Sequence, residues 1–337
     1  MFSRADRIEA FASLAQSLGA VPADEFQALA ERAQQENGWF TLSSVKQAFE
    51  GLHVLLQPDA LRVWASRYPE VTSVKTVGVA MAGNIPLVGF HDFLSVLLSG
   101  HRLRYKPSSK DTVLLNYVRD LLLRIEPRLA DSIEVSERLN GVDAIIATGS
   151  DNTSRYFEYY FRHIPHIIRK NRVSCAVIQG DEPAGEFNRL GSDVFSYYGL
   201  GCRNVASVFV PRDFALAQLL DGFSPFANVM ENHKYENNYT YQKSLLMLNQ
   251  EKFLDSGYLI LKQDDRIHSP IGVLHYTPYD DLAHLRKLIE SHREKLQVIV
   301  SAQGWYEGSI PFGTAQTPKV DDYADGLDTM KFLASIK

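Results

Sequence analysis

Residues 73–112 read SVKTVGVAMAGNIPLVGFHDFLSVLLSGHRLRYKPSSKDT, and this stretch decides the fold. The opening SVKTVGVAMAG is rich in β-branched and small apolar residues, which predicts a buried parallel strand. GFHDFLSVLLSG then predicts a short helix, and HRLRYKP predicts the next strand. A helix with one apolar face follows at 114–125, and VDAIIATGS predicts another buried strand. This alternation predicts a parallel sheet covered by helices on both faces.

The pattern extends in both directions from this stretch. The first 70 residues predict helices and turns, because apolar side chains recur there at helical spacing. A second α/β segment begins near residue 173, with predicted strands RVSCAVIQG, VASVFVP, GYLILK, IGVLHYT and LQVIVSA and predicted helices at 183–198, 212–222 and 280–293. The polar, tyrosine-rich stretch ENHKYENNYTY (231–241) is expected to be a surface or substrate-facing loop.

Composition narrows the class of protein. The chain has 337 residues, of which 45% are hydrophobic and 22% charged, so it is long enough for two domains. The net charge of −5 is spread along the chain, which argues against a nucleic-acid partner. Two cysteines fit a reducing compartment, and no apolar run reaches the ~20 residues of a membrane span, so we expect a cytoplasmic protein. The histidines and cysteines lack metal-ligand spacing, so no metal site is predicted.

Polar residues follow the predicted strands, where parallel sheets bind ligands. Asn84 in AGNIP could donate its amide to an oxyanion, although Gly-Asn is also ordinary turn chemistry. Lys106 suits a ribose or phosphate but is equally typical of a solvated strand end. Gly149 and Ser150 place N–H groups at a helix start, which suits an anion. No Gly-x-Gly-x-x-Gly fingerprint is present, so an ordinary Rossmann phosphate loop is not indicated.

Cys202 is the candidate nucleophile. It stands in YGLGCRN, where Gly199 and Gly201 permit a tight backbone and Arg203 brings positive charge that favours a thiolate. Local sequence fits a small buried hydrophobe equally well. Cys175 lies inside an apolar strand and is expected to be core packing.

Taken in this order and spacing, these segments resemble the aldehyde dehydrogenase superfamily, and more closely its short acyl-CoA reductase (LuxC-type) branch. The likeness runs from about residue 75 to the C-terminus. It implies that Cys202 is the catalytic nucleophile, that Asn84 helps to form the oxyanion hole and that Phe312, in a Pro-Phe-Gly turn, lines the substrate tunnel. It also implies a set of residues that bind the cofactor, NADPH or NADH: Lys106, Ser108, Gly149 and Ser150.

Two departures from the superfamily pattern carry information. The stretch HIIRK at 166–170 matches the segment whose Glu activates water in hydrolytic relatives, and it contains no Glu. Without that base an acyl-enzyme would hydrolyse slowly and would react with a thiol or a hydride instead, as acyl-CoA reduction requires. His166 falls at the Glu position and could pass a proton, or it could be a supporting or surface histidine. Arg266 and His268 replace the Glu and the aromatic residue that contact the nicotinamide side.

The resemblance therefore implies an α/β enzyme with two three-layer domains, parallel sheets and a helical N-terminal segment. We expect a cofactor-binding domain over 1–168, joined by the tail 309–337, and a catalytic domain over 169–308, with acyl-CoA and NAD(P)H meeting in the cleft between them. The predicted reaction reduces the acyl thioester to an aldehyde through an acyl-Cys intermediate. An acyl phosphate, acyl adenylate or carrier-protein thioester as donor, a non-reducing acyltransferase and an inactive scaffold are the alternatives. A homo-oligomer is expected, with a dimer favoured.

Overall fold

The computed structural model describes residues 3–149 and 151–336. The chain forms two compact units, the first built from Met1–Asn171 with Pro318–Lys337 and the second from Arg172–Thr317. Each unit contains its own largely parallel sheet.

Four helices open the first unit, as the sequence predicted. They are α1 (Arg4–Gly19), α2 (Ala23–Glu36), α3 (Leu42–Leu55) and α4 (Pro58–Ser66). Local chemistry sets where they begin: Ser3 and Asp6 form a capping box on α1, and the Thr41 side chain accepts from the Ser44 N–H at the start of α3. Helix α1 packs against α3 and α4 through buried side chains that include Phe11 and Trp64.

Within the described part of the first unit, five strands form one parallel sheet in the order β3-β2-β1-β4-β5. The strands are β1 (Thr76–Ala80), β2 (Arg102–Lys106), β3 (Ile133–Val135), β4 (Ala144–Thr148) and β5 (His166–Arg169). The connecting helices are α5 (Phe90–Ser99), α6 (Thr112–Ile125) and α7 (Asp151–Phe161). The predicted strands β1, β2 and β4 are confirmed as the centre of the sheet, and the short strands β3 and β5 form its edges.

A C-terminal helix, α12 (Thr329–Ser335), packs against α5. Arg169 at the end of β5 fixes this arrangement, because its buried guanidinium lies 2.5 Å from Asp92 of α5 and donates to the Thr329 hydroxyl at 2.9 Å. One buried cation therefore joins an edge strand to two helices.

In the described residues of the second unit, seven strands follow the order β12-β11-β6-β7-β10-β9-β8, and only the β8–β9 pair is antiparallel. The strands are β6 (Val173–Val177), β7 (Val205–Pro211), β8 (Leu254–Asp255), β9 (Ile260–Gln263), β10 (Val273–Tyr279), β11 (Leu296–Ser301) and β12 (Ile310–Pro311). The helices are α8 (Ala184–Phe195), α9 (Ala217–Phe223), α10 (His233–Leu248) and α11 (Leu282–Ser291).

One local prediction in this unit was wrong, and two predicted helices have different bounds. Residues 233–241 of the predicted loop form the first part of α10: the Asn232 side chain accepts from the N–H groups of Lys234 and Tyr235, and Tyr235 and Tyr239 are buried. Because the other residues of this stretch are mostly polar, the helical spacing of Tyr235 and Tyr239 was not recognised in the sequence. The helix predicted at 212–222 begins only at Ala217, and the one predicted at 183–198 ends at Phe195.

Across residues 3–149 and 151–336, no helix has both the length and the apolar character needed to cross a bilayer. Over the same ranges, no three His, Cys, Asp or Glu side chains come together as a metal-binding group.

Candidate active site

The backbone between α8 and β7 is unusually strained. Helix α8 gives way to a short 3₁₀ turn in which Tyr197 and Tyr198 both have left-handed φ angles, of 52° and 60°. Gly199 and Gly201 follow with φ of 79° and 97°. A left-handed non-glycine residue costs about 1–3 kcal/mol, and such strain clusters at functional sites. These left-handed residues end the helix before Cys202 is reached along the chain.

Cys202 is half-buried and lies in the turn directly after this strained segment. Its carbonyl accepts a hydrogen bond from the Ser174 hydroxyl at 3.1 Å, and the Ser174 N–H donates to Asn204 at 2.8 Å. The β6–β7 register shifts between Ser174 and Cys175, beside the turn that contains Cys202. These bonds hold the backbone of a residue that is itself only half-buried.

Cys175 has the opposite environment. It is fully buried in the middle of β6, and burial raises the pKa of its thiol far above the ordinary value. A buried neutral thiol is chemically inert. Of the two cysteines, neither of which is in a disulfide, Cys202 is the one whose surroundings suit a nucleophile.

The residues after Cys202 are tied to a second turn. The Arg203 guanidinium donates to the Ala315 carbonyl at 3.2 Å. Asp193 of α8 accepts from the N–H groups of Gly313 and Ala315, at 2.6 and 2.9 Å. Burial raises the pKa of Asp193 to about 6 although both N–H bonds lower it. A chain of hydrogen bonds thus runs from α8 through residues 313–315 to Arg203, the residue after Cys202.

In the first unit, predicted ligand-binding residues gather at the carboxyl edge of the sheet. Ala80, at the end of β1, pairs with Lys106 of β2 and with Ala147 of β4. Asn84 and Lys106 are both exposed beyond this edge. Gly149 follows β4, and a Cβ there would lie 2.9 Å from the Thr153 Cβ, so the backbone passes too close for a larger residue.

The residues predicted to bind the cofactor also include Ser108 and Ser150. Ser108 is half-buried in the turn after β2, where its hydroxyl accepts from the Lys110 N–H at 3.3 Å. Ser150 lies outside the described residues. The prediction for both stays a prediction.

Comparison with known proteins identifies the architecture. An aldehyde dehydrogenase of Mycobacterium tuberculosis complexed with NAD+ is 14% identical and matches with a TM-score of 0.65, covering 88% of this chain and 73% of that chain. A putative aldehyde dehydrogenase of Burkholderia cenocepacia is 15% identical and matches with a TM-score of 0.66, covering 89% of this chain and 74% of that chain. An indole-3-acetaldehyde dehydrogenase mutant of P. syringae with NAD+ and IAA is 12% identical and matches with a TM-score of 0.67, covering 91% of this chain and 73% of that chain. The chain has an aldehyde dehydrogenase fold. Neither a scan against protein-family models nor a search of curated proteins found a match. The fold class predicted from sequence is confirmed.

Within this aldehyde dehydrogenase fold, His166 stands apart from the other candidates. It is the first residue of β5 and pairs with Ile145, whereas the carboxyl edge is reached at the Thr148–Arg169 pair. Three residues of strand separate the two positions, about 10 Å. The exposed imidazole also has its Nδ1 atom 2.9 Å from the Ile164 carbonyl oxygen. The structure does not bring His166 together with Asn84 and Lys106.

Two further residues from the sequence predictions are Phe312, expected in the substrate tunnel, and Arg266, expected on the nicotinamide side. Phe312 is buried, with 2% of its surface exposed, and its N–H donates to Ser301 at 3.1 Å. The exposed Arg266 lies 2.6 Å from Asp264, and this pairing holds the pKa of Asp264 well below its usual range. The tunnel role of Phe312 remains a prediction.

Sequence reasoning missed two buried carboxyl groups, Asp193 and Asp111. Both are almost fully buried; Asp111 accepts one backbone N–H, from the turn that carries Asn84, and Asp193 accepts two, from the turn that follows Phe312. Nothing in their local sequence separates them from exposed aspartates, because their partners come from distant segments of the chain.

Proposed function

We propose that this protein is an NAD(P)H-dependent acyl-CoA reductase that works through a covalent acyl intermediate on Cys202. The observation that carries the proposal is the position of Cys202: half-buried, in a strained and glycine-flanked turn, with its carbonyl anchored by Ser174. The fold adds support, since similar structures were solved with NAD+.

The residues at the carboxyl edge of the first unit's sheet fit a dinucleotide. Lys106 would contribute a cation for a ribose or its 2′-phosphate, and Gly149 precedes α7, whose first-turn N–H groups would suit a phosphate. The bound reduced nicotinamide would supply the hydride that reduces the acyl carbon.

The chain's own residues would perform the covalent steps. The Cys202 thiolate attacks the thioester carbonyl, and the Asn84 amide donates to the oxyanion. The carbon–sulfur bond to CoA breaks, so CoA thiolate leaves and an acyl-Cys thioester remains. After reduction of the acyl carbon, the bond to Cys202 breaks, the aldehyde departs and the thiolate is regenerated. Because HIIRK (166–170) contains no carboxylate, the acyl-Cys lacks the general base that would otherwise activate water there.

Intact-protein mass spectrometry tests the first step without the cofactor. Incubation with an acyl-CoA should add one acyl mass to the wild-type protein, and peptide mapping should place it on Cys202. Cys202→Ala should stay unmodified. Cys175→Ala is the matched control and should be acylated like the wild type, because Cys175 is sealed in the core. Acylation of Cys202→Ala would reject Cys202 as the nucleophile, and no acylation of the wild type by any acyl-CoA would reject acyl-CoA as the donor.

Later steps separate the alternatives. Loss of the acyl mass on addition of NADH or NADPH, with aldehyde formed, identifies a reductase. Loss on addition of a thiol alone identifies an acyltransferase. Acyl phosphate, acyl adenylate and acyl carrier protein, tried beside a panel of acyl-CoA chain lengths, identify the donor. A protein that no donor acylates is a scaffold.

A further inference from the structure

A buried carboxyl group lies beneath the turn that contains Asn84. Asp111 has 4% of its surface exposed, and its Oδ2 atom accepts from the Leu87 N–H at 2.7 Å. Its other oxygen, Oδ1, is buried without a hydrogen-bond partner among the described residues. Leu87 itself has a left-handed φ of 58°, a strained conformation for a branched side chain. The bond from Leu87 to Asp111 therefore holds a turn that its own backbone preferences do not favour.

The turn at 83–87 and the turn at 108–111 are packed tightly together. A Cβ on Gly83 would lie 2.5 Å from the Ser108 Cβ and 3.2 Å from the Asp111 Cβ. The Asn37 amide lies 3.4 Å from both the Gly83 and the Lys110 carbonyl oxygens, bridging the two turns. Asn84 is thus carried by a turn that is fixed on both sides of it, at Gly83 and at Leu87.

The protonation state of Asp111 follows from its surroundings. Burial raises the pKa of Asp111 to about 8; the Leu87 N–H opposes this increase and the nearby carboxylate of Glu36 adds to it. Glu36, at the end of α2, accepts from the N–H groups of Thr112 and Val113 at 2.9 and 3.2 Å, so its charge stays near the start of α6. Lys110, the neighbour of Asp111 in the chain, is exposed. At neutral pH the Asp111 carboxyl is therefore mostly uncharged.

We propose that Asp111 is a positioning residue whose buried carboxyl, through its bond to Leu87, holds the 83–87 turn and thereby the Asn84 amide. Ionisation of Asp111 favours an open turn, because the charge regains water when the turn opens. The effect on catalysis rests on the proposed function of Asn84. The hydrogen bond from Leu87 to the buried Asp111 carboxyl, called the clamp below, is a property of the folded chain.

The pH dependence has a defined sign. An exposed Asp ionises near 3.8, and in the closed turn the pKa is about 8. Between these values the open turn releases a proton that the closed turn keeps, so the ratio of open to closed turn rises tenfold per pH unit and levels off above pH 8. Amide exchange gains a further tenfold per pH unit from hydroxide catalysis. The amides at 83–89 should therefore exchange about a hundredfold faster per unit up to pH 8, and about tenfold faster per unit above it.

Hydrogen–deuterium exchange of the full chain, followed at the 83–89 peptide from pH 5.5 to 9, tests this directly. Asp111→Asn, which cannot ionise, should show the plain tenfold slope throughout. Asp193→Asn removes a comparable buried carboxyl from the second unit and should leave the steep wild-type slope at 83–89 intact. Equal slopes for wild type and Asp111→Asn would overturn the proposal.

A second readout links the clamp to chemistry. Asp111→Ala should lower the maximal rate of Cys202 acylation by about tenfold to a hundredfold without changing the acyl-CoA concentration for half-saturation. Asp111→Asn keeps an acceptor for Leu87 and should restore most of that rate. If wild-type protein is never acylated, the proposed function fails while the exchange slopes still decide the clamp. Normal acylation of Asp111→Ala would refute the positioning role.

Discussion

Replacing Asp92 by alanine should destabilise the first unit by about 3–5 kcal/mol, because the change leaves the buried Arg169 guanidinium without the carboxylate that balances it. The structure sets the size of this effect. The Nη1–Oδ2 distance is 2.5 Å, and only 5% and 10% of the Arg169 and Asp92 side chains are exposed. Little solvent is available to screen the charge that remains.

Urea unfolding followed by tryptophan fluorescence measures the loss, since Trp39 and Trp64 both lie in the first unit. Arg169→Met and the double variant complete a thermodynamic cycle, and the double variant should be no less stable than Asp92→Ala alone. The exposed pair of Asp59 and Arg62, 2.7 Å apart, provides the control: Asp59→Ala should cost about 0.5 kcal/mol.

Either of two results would contradict this prediction for Asp92. A loss below about 1 kcal/mol for Asp92→Ala would mean that water or a neighbouring group balances Arg169. Strictly additive losses in the two single variants would mean that the pair is not coupled, and that Asp92 acts through packing alone.

Three further predictions concern the first unit. Asn84→Ala should lower the turnover number by roughly 10²–10³ with little change in substrate affinity, and a pure affinity effect in steady-state kinetics would reject the oxyanion role. Lys106→Ala should weaken NADPH about tenfold more than NADH in fluorescence titrations, and equal losses would remove the 2′-phosphate assignment. Glu36→Gln should lower the unfolding free energy by about 1 kcal/mol, because it weakens the cap on α6. It should also move the bend in the 83–89 exchange profile to lower pH, because the Glu36 charge raises the pKa of Asp111; an unmoved bend would contradict that coupling.

Predictions that rested on periodicity were confirmed. The apolar run at 73–83 and the spacing at 114–125 gave β1 and α6 because burial on one or two faces imposes a repeat on the sequence itself. The prediction for 231–241 failed because Tyr235 and Tyr239 are buried in an otherwise polar stretch of the helix, and two buried residues there do not make a visible repeat. The helix predicted to reach residue 198 ended early because Tyr197 and Tyr198 adopt left-handed φ angles that no local pattern signals.

The sequence by itself determined the parallel-sheet class, the strands that carry Asn84, Lys106 and Gly149 to one edge, and the contrast between Cys202 beside glycines and Cys175 within an apolar strand. These depend on side-chain period and on glycine, which act over a few residues. Only the tertiary structure decided that His166 starts its strand about 10 Å from that edge, since a strand's register depends on a partner elsewhere in the chain. It also decided that Asp111 and Asp193 are buried against distant backbone N–H groups, because desolvation and hydrogen bonding are set by whatever the fold packs around a side chain.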